Sequence, residues 1–303
     1  MSNFILVDTN SKLRSAKKDI STSRLIGIDT EYDSFRYFRE KLCLIQIQTD
    51  KKTYLFDPLN HLEIIFLEQC FSDQQIPKII HAGDNDIRLL NRDYGFEFNN
   101  VFDTQKAASI LGHKHLSLAS VIQQALGIEL LKTKRIQRSQ WDIRPLSEEQ
   151  KEYAAQDIEH LFGLYERFSR ELITKNLMER ADRAFKEIAS VRWNEKVFDP
   201  YGFFRISGYK ELKRQQKERL RSLYEWRFLK AKSTNTAVFM ILSDQNLLDL
   251  SRLKPESLIE LRKTGKLPEG RIKKFGNEII EILNAPNSDD YSRPQQVQFQ
   301  SRA

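Results

Sequence analysis

The chain has 303 residues, about twice the length of a common domain, with 40% hydrophobic and 30% charged residues. That balance excludes a disordered chain, a fibre and a disulfide-stapled miniprotein. Lys and Arg (49) exceed Asp and Glu (42), leaving a net charge of +7 that suits a polyanionic partner without requiring one.

In chain order, apolar runs predict strands at residues 4–7, 25–29, 42–48, 53–56, 78–81 and 100–102. Helical patterns lie between and after them, at 11–20, 61–70, 87–94, 105–111 and 117–126, with a long one over 147–168. A mixed sheet followed by helices predicts an α/β layer domain over residues 1–174. Residues 175–209 read as a connecting helix and linker, broken at Asp199-Pro200-Tyr201-Gly202. Residues 210–285 read as a small all-α domain, and the polar stretch 286–303 as a disordered tail. The only cysteines, Cys43 and Cys70, sit in apolar stretches and read as core thiols. The N-terminus has no basic lead before an apolar run, and no stretch approaches the ~18 apolar residues of a membrane span. A cytoplasmic protein is expected, with no membrane association and no obligate protein partner.

Carboxylates stand where apolar side chains are expected. Asp29 and Glu31 end the run Leu25-Ile26-Gly27-Ile28, and period-two geometry puts both on one face. Either they form a repelling pair there, or the strand simply ends and both are solvated. Asp86 shares a helix face with Leu89 and Leu90, although a first-turn acid favoured by the helix dipole also explains it, as it explains Asp84. In the long helix, Tyr153, Asp157, Leu161, Leu164 and Phe168 fall in one stripe, so Asp157 lies on the apolar face. An ionised Asp there is costly unless paired or bound to a cation. Four acids without a His or Cys cluster are hard oxygen ligands, suited to Mg²⁺ or Mn²⁺. Paired ions of that kind serve phosphoryl transfer, and there is no P-loop to suggest nucleotide hydrolysis instead.

These residues resemble the DEDDy 3′→5′ exonucleases, ribonuclease D in particular. Asp29-Thr30-Glu31-Tyr32 with Leu42-Cys43-Leu44-Ile45-Gln46-Ile47 is similar to the first motif, and His81-Ala82-Gly83 leading to Asp86-Ile87 to the second. Tyr153-Ala154-Ala155-Gln156-Asp157 is similar to the third, preceded by Trp141, Arg144-Pro145-Leu146 and Gln150 as in ribonuclease D; Gln140 departs from the acid or Asn usual before the Trp. The resemblance implies a ribonuclease-H-like fold with a mixed five-stranded sheet. It also implies that Asp29, Glu31, Asp86 and Asp157 hold two divalent ions, Mg²⁺ or Mn²⁺, and that Tyr153 orients the attacking water. Residues 220–283 resemble the helical HRDC module through Trp226-Arg227, Asp244 and Pro255-Glu256-Ser257-Leu258.

Lys132, Lys134, Arg135, Arg138 and Arg144, interleaved with Trp141, suit a single strand whose phosphates are neutralised and whose bases stack; a solvated loop is the plainer alternative. Residues 205–232 carry ten basic side chains against Glu211, Glu218 and Glu225, an excess that favours a polyanion. The expectation is a 3′→5′ exoribonuclease that releases nucleoside 5′-monophosphates while trimming transfer RNA precursors and small structured RNAs. A repair DNA exonuclease and an inactive RNA-binding scaffold are the alternatives.

Overall fold

A computed structural model of the chain describes residues 4–60, 62–130 and 134–285. All six predicted strands form, as β1 (Phe4–Val7), β2 (Ile26–Asp33), β3 (Lys41–Gln48), β4 (Thr53–Phe56), β5 (Lys78–Ile80) and β6 (Val101–Asp103). They build one sheet in the order β1-β4-β3-β2-β5-β6. It is mixed: β3 runs antiparallel to β2 and β4, while β1–β4, β2–β5 and β5–β6 pair in parallel. The five-stranded expectation is thus corrected to six, because β1 pairs along its whole length with β4.

Helices α1 (Asn10–Ser21), α2 (Leu67–Ser72), α3 (Asp84–Tyr94), α4 (Thr104–Leu111), α5 (Leu118–Leu126), α6 (Lys134–Gln137), α7 (Glu148–Glu159), α8 (Leu161–Thr174) and α9 (Met178–Ala189) complete the first unit. On one face of the sheet Ile28, Ile45, Ile47 and Phe56 bury against Ile20 of α1 and Leu90 of α3. Across the other face lies α7, packed on β2, β3 and β4.

Three helix expectations change. The helix over 61–70 shortens to α2, because the Asp57 carboxylate accepts from Leu59 N (3.1 Å) and Asn60 Nδ2 (2.9 Å) and closes a local turn instead. The long helix divides into α7 and α8 at His160, where ψ is 4°. Gln48 Nε2 donates to the Glu159 carbonyl at 3.1 Å, taking up a carbonyl that the break leaves without a helical partner. The connecting helix stops at Ala189, with the Ser190 hydroxyl turned back onto Glu187 O at 2.9 Å.

The described residues form two compact units, 4–35 with 40–195 and 36–39 with 196–285. The second unit contains α10 (Arg214–Ser233), α11 (Val238–Ile241), α12 (Asp244–Ser251), α13 (Leu258–Lys263) and α14 (Glu269–Asn284) around Leu220, Leu223, Leu247, Leu261 and Ile279. Unexpectedly, four residues from the β2–β3 connection belong to it. Phe38 is 1% exposed in that core and meets Phe228 edge-on at 5.2 Å. Arg36 O accepts from Ala237 N, and Asn235 Oδ1 accepts from Arg39 N. The residues expected to form a disordered tail lie outside the described ones. Among the described residues, no helix is long and apolar enough to cross a membrane.

Candidate active site

Antiparallel pairing sets the first two acids. Asp29 faces Gln46 and Glu31 faces Leu44 across β2–β3, and directly opposed residues share a face. Cys43 is then the extra residue of a bulge, for Tyr32 already pairs with Leu42. That bulge lies just past Glu31, at the end of the stretch that carries both acids.

The second motif is a tight turn from β5 into α3. Ala82 takes φ 55° and Gly83 follows, where a Cβ would stand 2.2 Å from Ile80 Cδ1. Only glycine lets the chain pass there. The buried Asp103 carboxylate pins the turn, accepting from Gly83 N at 2.9 Å while it caps α4 through Lys106 N. The same turn presents His81, whose Nε2 lies 3.0 Å from Leu116 O and Nδ1 2.9 Å from Thr104 Oγ1. A carbonyl only accepts, so Nε2 carries a proton and donates. Asp84 and Asp86 both occupy the first turn of α3; Asp84 is exposed, whereas Asp86 accepts from the Thr30 hydroxyl.

The third motif sits on α7, started by a capping box between Ser147 and Gln150. Asp157 is 6% exposed. Tyr153, one turn earlier, is half-buried, its ring 6.1 Å from that of Trp141.

Asp29, Glu31, Asp86, Tyr153 and Asp157 line one cleft of about 520 Å³, together with His81, Gln105, Ser117 and Gln137. Burial first, then the charges of Glu31 and Asp29, push the Tyr153 hydroxyl well above its ordinary range. It stays protonated at neutral pH. Burial, followed by the Asp29 charge, pushes the Asp86 carboxyl up to about 8, against the opposing bond from Thr30.

Donor chemistry and location fit divalent cations: four carboxylates share one cleft, and their mutual repulsion is what a hard dication relieves. Among the described residues no three His, Cys, Asp or Glu side chains are already closed into a metal cage. In this arrangement the Asp86 carboxylate accepts from the Thr30 hydroxyl, on the strand that carries Asp29 and Glu31. The charge crowding is measurable. The folded state holds the Asp86 proton more tightly than an unfolded chain titrating near 3.8, so its contribution to stability is complete below 3.8 and is lost as pH rises to about 8. In EDTA, the urea midpoint of Asp86→Asn relative to wild type should therefore climb between those two pH values. A constant difference across that range would remove the crowding.

The expected RNA contacts divide. Arg135 and Arg138 are exposed, Arg135 in a surface pair with Glu149 at 2.7 Å. Lys134 begins α6, and Lys132 lies outside the described residues. Trp141 is corrected: it is 2% exposed, packed on Leu44, Leu55 and Leu146, with Nε1 directed at Gln137 O at 3.4 Å, so no base reaches its face. Arg144 is corrected too. Its Nε and Nη2 donate to Asp57 at 2.6 and 2.7 Å, Nη2 also to Cys43 O, and Nη1 to Trp141 O and Ile143 O. No N–H remains for a phosphate. Gln140 contributes its backbone carbonyl, which accepts from Gln150 Nε2 at 3.2 Å. The stretch before the third motif is a brace for α7. Sequence reasoning gave no role to Thr30, Gln105, Ser117 or Gln137; Thr30 could have been noticed as the residue between two acids.

In the second unit several basic residues are also engaged by partners within that unit. Arg227 is 5% exposed and bonded to Asp244 and Leu242 O, Arg219 donates to Leu253 O, and Lys230 pairs with Glu278.

Comparison with known proteins identifies the family. Residues 4–173 match the family model described as 3′-5′ exonuclease, and residues 216–283 match the HRDC domain. The chain belongs to the 3′-5′ exonuclease family, whose members of this type use divalent metal ions. Its exonuclease-then-HRDC order places it with the ribonuclease D and RRP6 proteins. It is 28% identical to the ribonuclease D of Cronobacter turicensis over 92% of this chain and 74% of that protein. It is also 28% identical to the exosome complex component 10 homolog of Drosophila melanogaster, over 84% of this chain but only 29% of that protein, under a third of its length. The crystal structure of Escherichia coli RNase D, an exoribonuclease involved in structured RNA processing, superposes with a TM-score of 0.67 at 27% identity, over 93% of this chain and 74% of that one.

Proposed function

We propose that the protein is a 3′→5′ exoribonuclease of the ribonuclease D type that acts in the cytoplasm on transfer RNA precursors and other small structured RNAs. The observation that carries this is the convergence of Asp29, Glu31, Asp86 and Asp157 with a protonated Tyr153 in one cleft. Asp29, Glu31, Asp86 and Asp157 would hold two divalent ions, Mg²⁺ or Mn²⁺. When bound, such ions supply charge for the scissile phosphate and acidify a water. The chain's residues do the rest. Tyr153, leaning on the buried Trp141, holds its hydroxyl toward the acids and orients the water for in-line attack on the last phosphodiester. The product is a nucleoside 5′-monophosphate and an RNA one residue shorter. Gln105, Ser117 and Gln137 offer polar side chains along the cleft to the terminal nucleotide. Arg138, exposed next to Gln137, and Arg135, whose surface partner Glu149 is easily exchanged for a phosphate, serve the backbone. Exposed basic residues of the second unit such as Lys210, Lys213 and Arg221 supply further phosphate contacts.

The test is a 5′-labelled transfer RNA precursor and a matching DNA strand, incubated with the protein and Mn²⁺ or Mg²⁺. A ladder shortening from the RNA 3′ end, with nucleoside 5′-monophosphates in the supernatant, is expected. Equal degradation of DNA would favour a repair enzyme, and RNA binding without cleavage a scaffold. Tyr153→Phe should keep its ring packing and its melting temperature while kcat drops by roughly 10²-fold. Full activity in that variant would reduce Tyr153 to a packing residue.

A further inference from the structure

Gln46 is completely buried, yet among the described residues neither Nε2 nor Oε1 of its amide has a hydrogen-bond partner. Buried amides are rarely left so, since losing water without a replacement bond is costly at both ends. Where it sits is informative. On its own strand it lies between Leu44, which packs with Trp141, Ala154 and Tyr153, and Gln48, which holds the Glu159 carbonyl of α7. Laterally it stands between Leu55 on β4 and Asp29 on β2. Gln46 therefore lies on the sheet face covered by α7, the helix of Tyr153 and Asp157, with Asp29 as its direct cross-strand neighbour. Such neighbours have Cβ atoms about 4.5–5.5 Å apart, within reach of an extended glutamine amide.

An apolar side chain of similar volume would fill this position without the penalty. A carboxylate that coordinates a cation has lone pairs left over, and donors that take them fix its orientation. From burial, register and the unmet amide we infer that Gln46 is a positioning residue: its Nε2 donates to the Asp29 carboxylate when that carboxylate holds a divalent cation. The inference rests on the reading of the four acids as a cation site.

The test uses the full chain and Mn²⁺ alone, titrated calorimetrically, with Gln46→Met as the variant of matching shape. Mn²⁺ affinity should weaken at least about 10-fold, the usual effect of removing a group that orients a ligand. The melting temperature in EDTA should be unchanged or higher, and kcat on an RNA oligonucleotide should fall while KM holds. Gln46→Glu should melt lower than wild type in EDTA, through repulsion with Asp29, and gain more from added Mn²⁺. Wild-type Mn²⁺ affinity in Gln46→Met would overturn the inference, and so would a clear loss of metal-free stability, which would make the amide structural. An insensitive Gln46→Glu would show that the side chain does not face the acids. If the wild-type chain itself took up no Mn²⁺, the cation site would fall and this inference with it; binding by wild type and Gln46→Met alike would remove Gln46 alone.

Discussion

Asp29→Asn and Asp157→Asn should each lower hydrolysis of an RNA 3′ end by about 10³-fold or more, with the fold retained. Asparagine copies the shape of aspartate and removes only its charge, so packing around β2 and α7 is preserved. What disappears is an anionic oxygen, which a hard dication prefers over an amide carbonyl. The charge stabilisation such ions give a phosphoryl transition state is several kcal/mol, and each ~1.4 kcal/mol is a factor of ten in rate. Asp157 is the more telling position because it is 6% exposed on the helix face that covers the sheet. A buried acid kept for structure would, when lost, lower stability. A buried acid kept for chemistry crowds its neighbours, and its loss should leave the EDTA melting temperature unchanged or raise it. Single-turnover cleavage together with thermal melting separates the two. Near wild-type cleavage in either variant would end the assignment of these carboxylates as cation ligands.

Much of this site was legible because acids are conspicuous against apolar periodicity. Asp29 and Glu31 could be placed on one face from strand geometry alone, and the paired strands give the same arrangement. Asp157 could be placed on a buried face from helical spacing, although the helix proved shorter than the pattern suggested. Residues 147–168 remain amphipathic through His160, so periodicity carries no trace of a break whose freed carbonyl is taken up by the distant Gln48. The excursion of residues 36–39 into the second unit was equally hidden. Its anchor, Phe38, meets partners nearly two hundred positions away, and no local pattern encodes that. Asp86 was ambiguous in the sequence and is dual in the structure: it is a first-turn acid of α3 and it lines the cleft.

Basic and aromatic residues misled where acids did not. A cluster of Arg, Lys and Trp reads as a nucleic-acid contact because such residues are expected at the surface, but burial is a tertiary property. Trp141 fell inside because α7 needs an apolar support beneath Tyr153. Arg144 followed it because a partly buried guanidinium finds all its acceptors only in a carboxylate and a set of backbone carbonyls.

Arg144→Ala should therefore cost stability and leave RNA affinity nearly unchanged. The guanidinium ties the segment before α7 to the Cys43 carbonyl on β3 and to Asp57 just after β4, so one side chain joins three parts of the chain. Its removal strands the Asp57 carboxylate, which is 2% exposed. Breaking such a pair by deleting one partner typically costs about 3–5 kcal/mol. Here the lower end applies, because Asp57 keeps its bonds from Leu59 N and Asn60 Nδ2. Arg144→Lys should recover little, since a single ammonium cannot reproduce a planar fork that serves two carboxylate oxygens and three carbonyls. Urea unfolding followed by circular dichroism measures the loss. Because the brace sets α7, kcat should decline as well, through Tyr153 and Asp157, and addition of Mn²⁺ should restore part of the stability by tying α7 to β2. The salt dependence of RNA binding decides between the two roles. A phosphate contact, when removed, shallows the slope by about one, whereas a brace leaves it as it was. A shallower slope with an unchanged urea midpoint would return Arg144 to the nucleic-acid surface, and the guanidinium bonds to Asp57 would then count for little in the folded state.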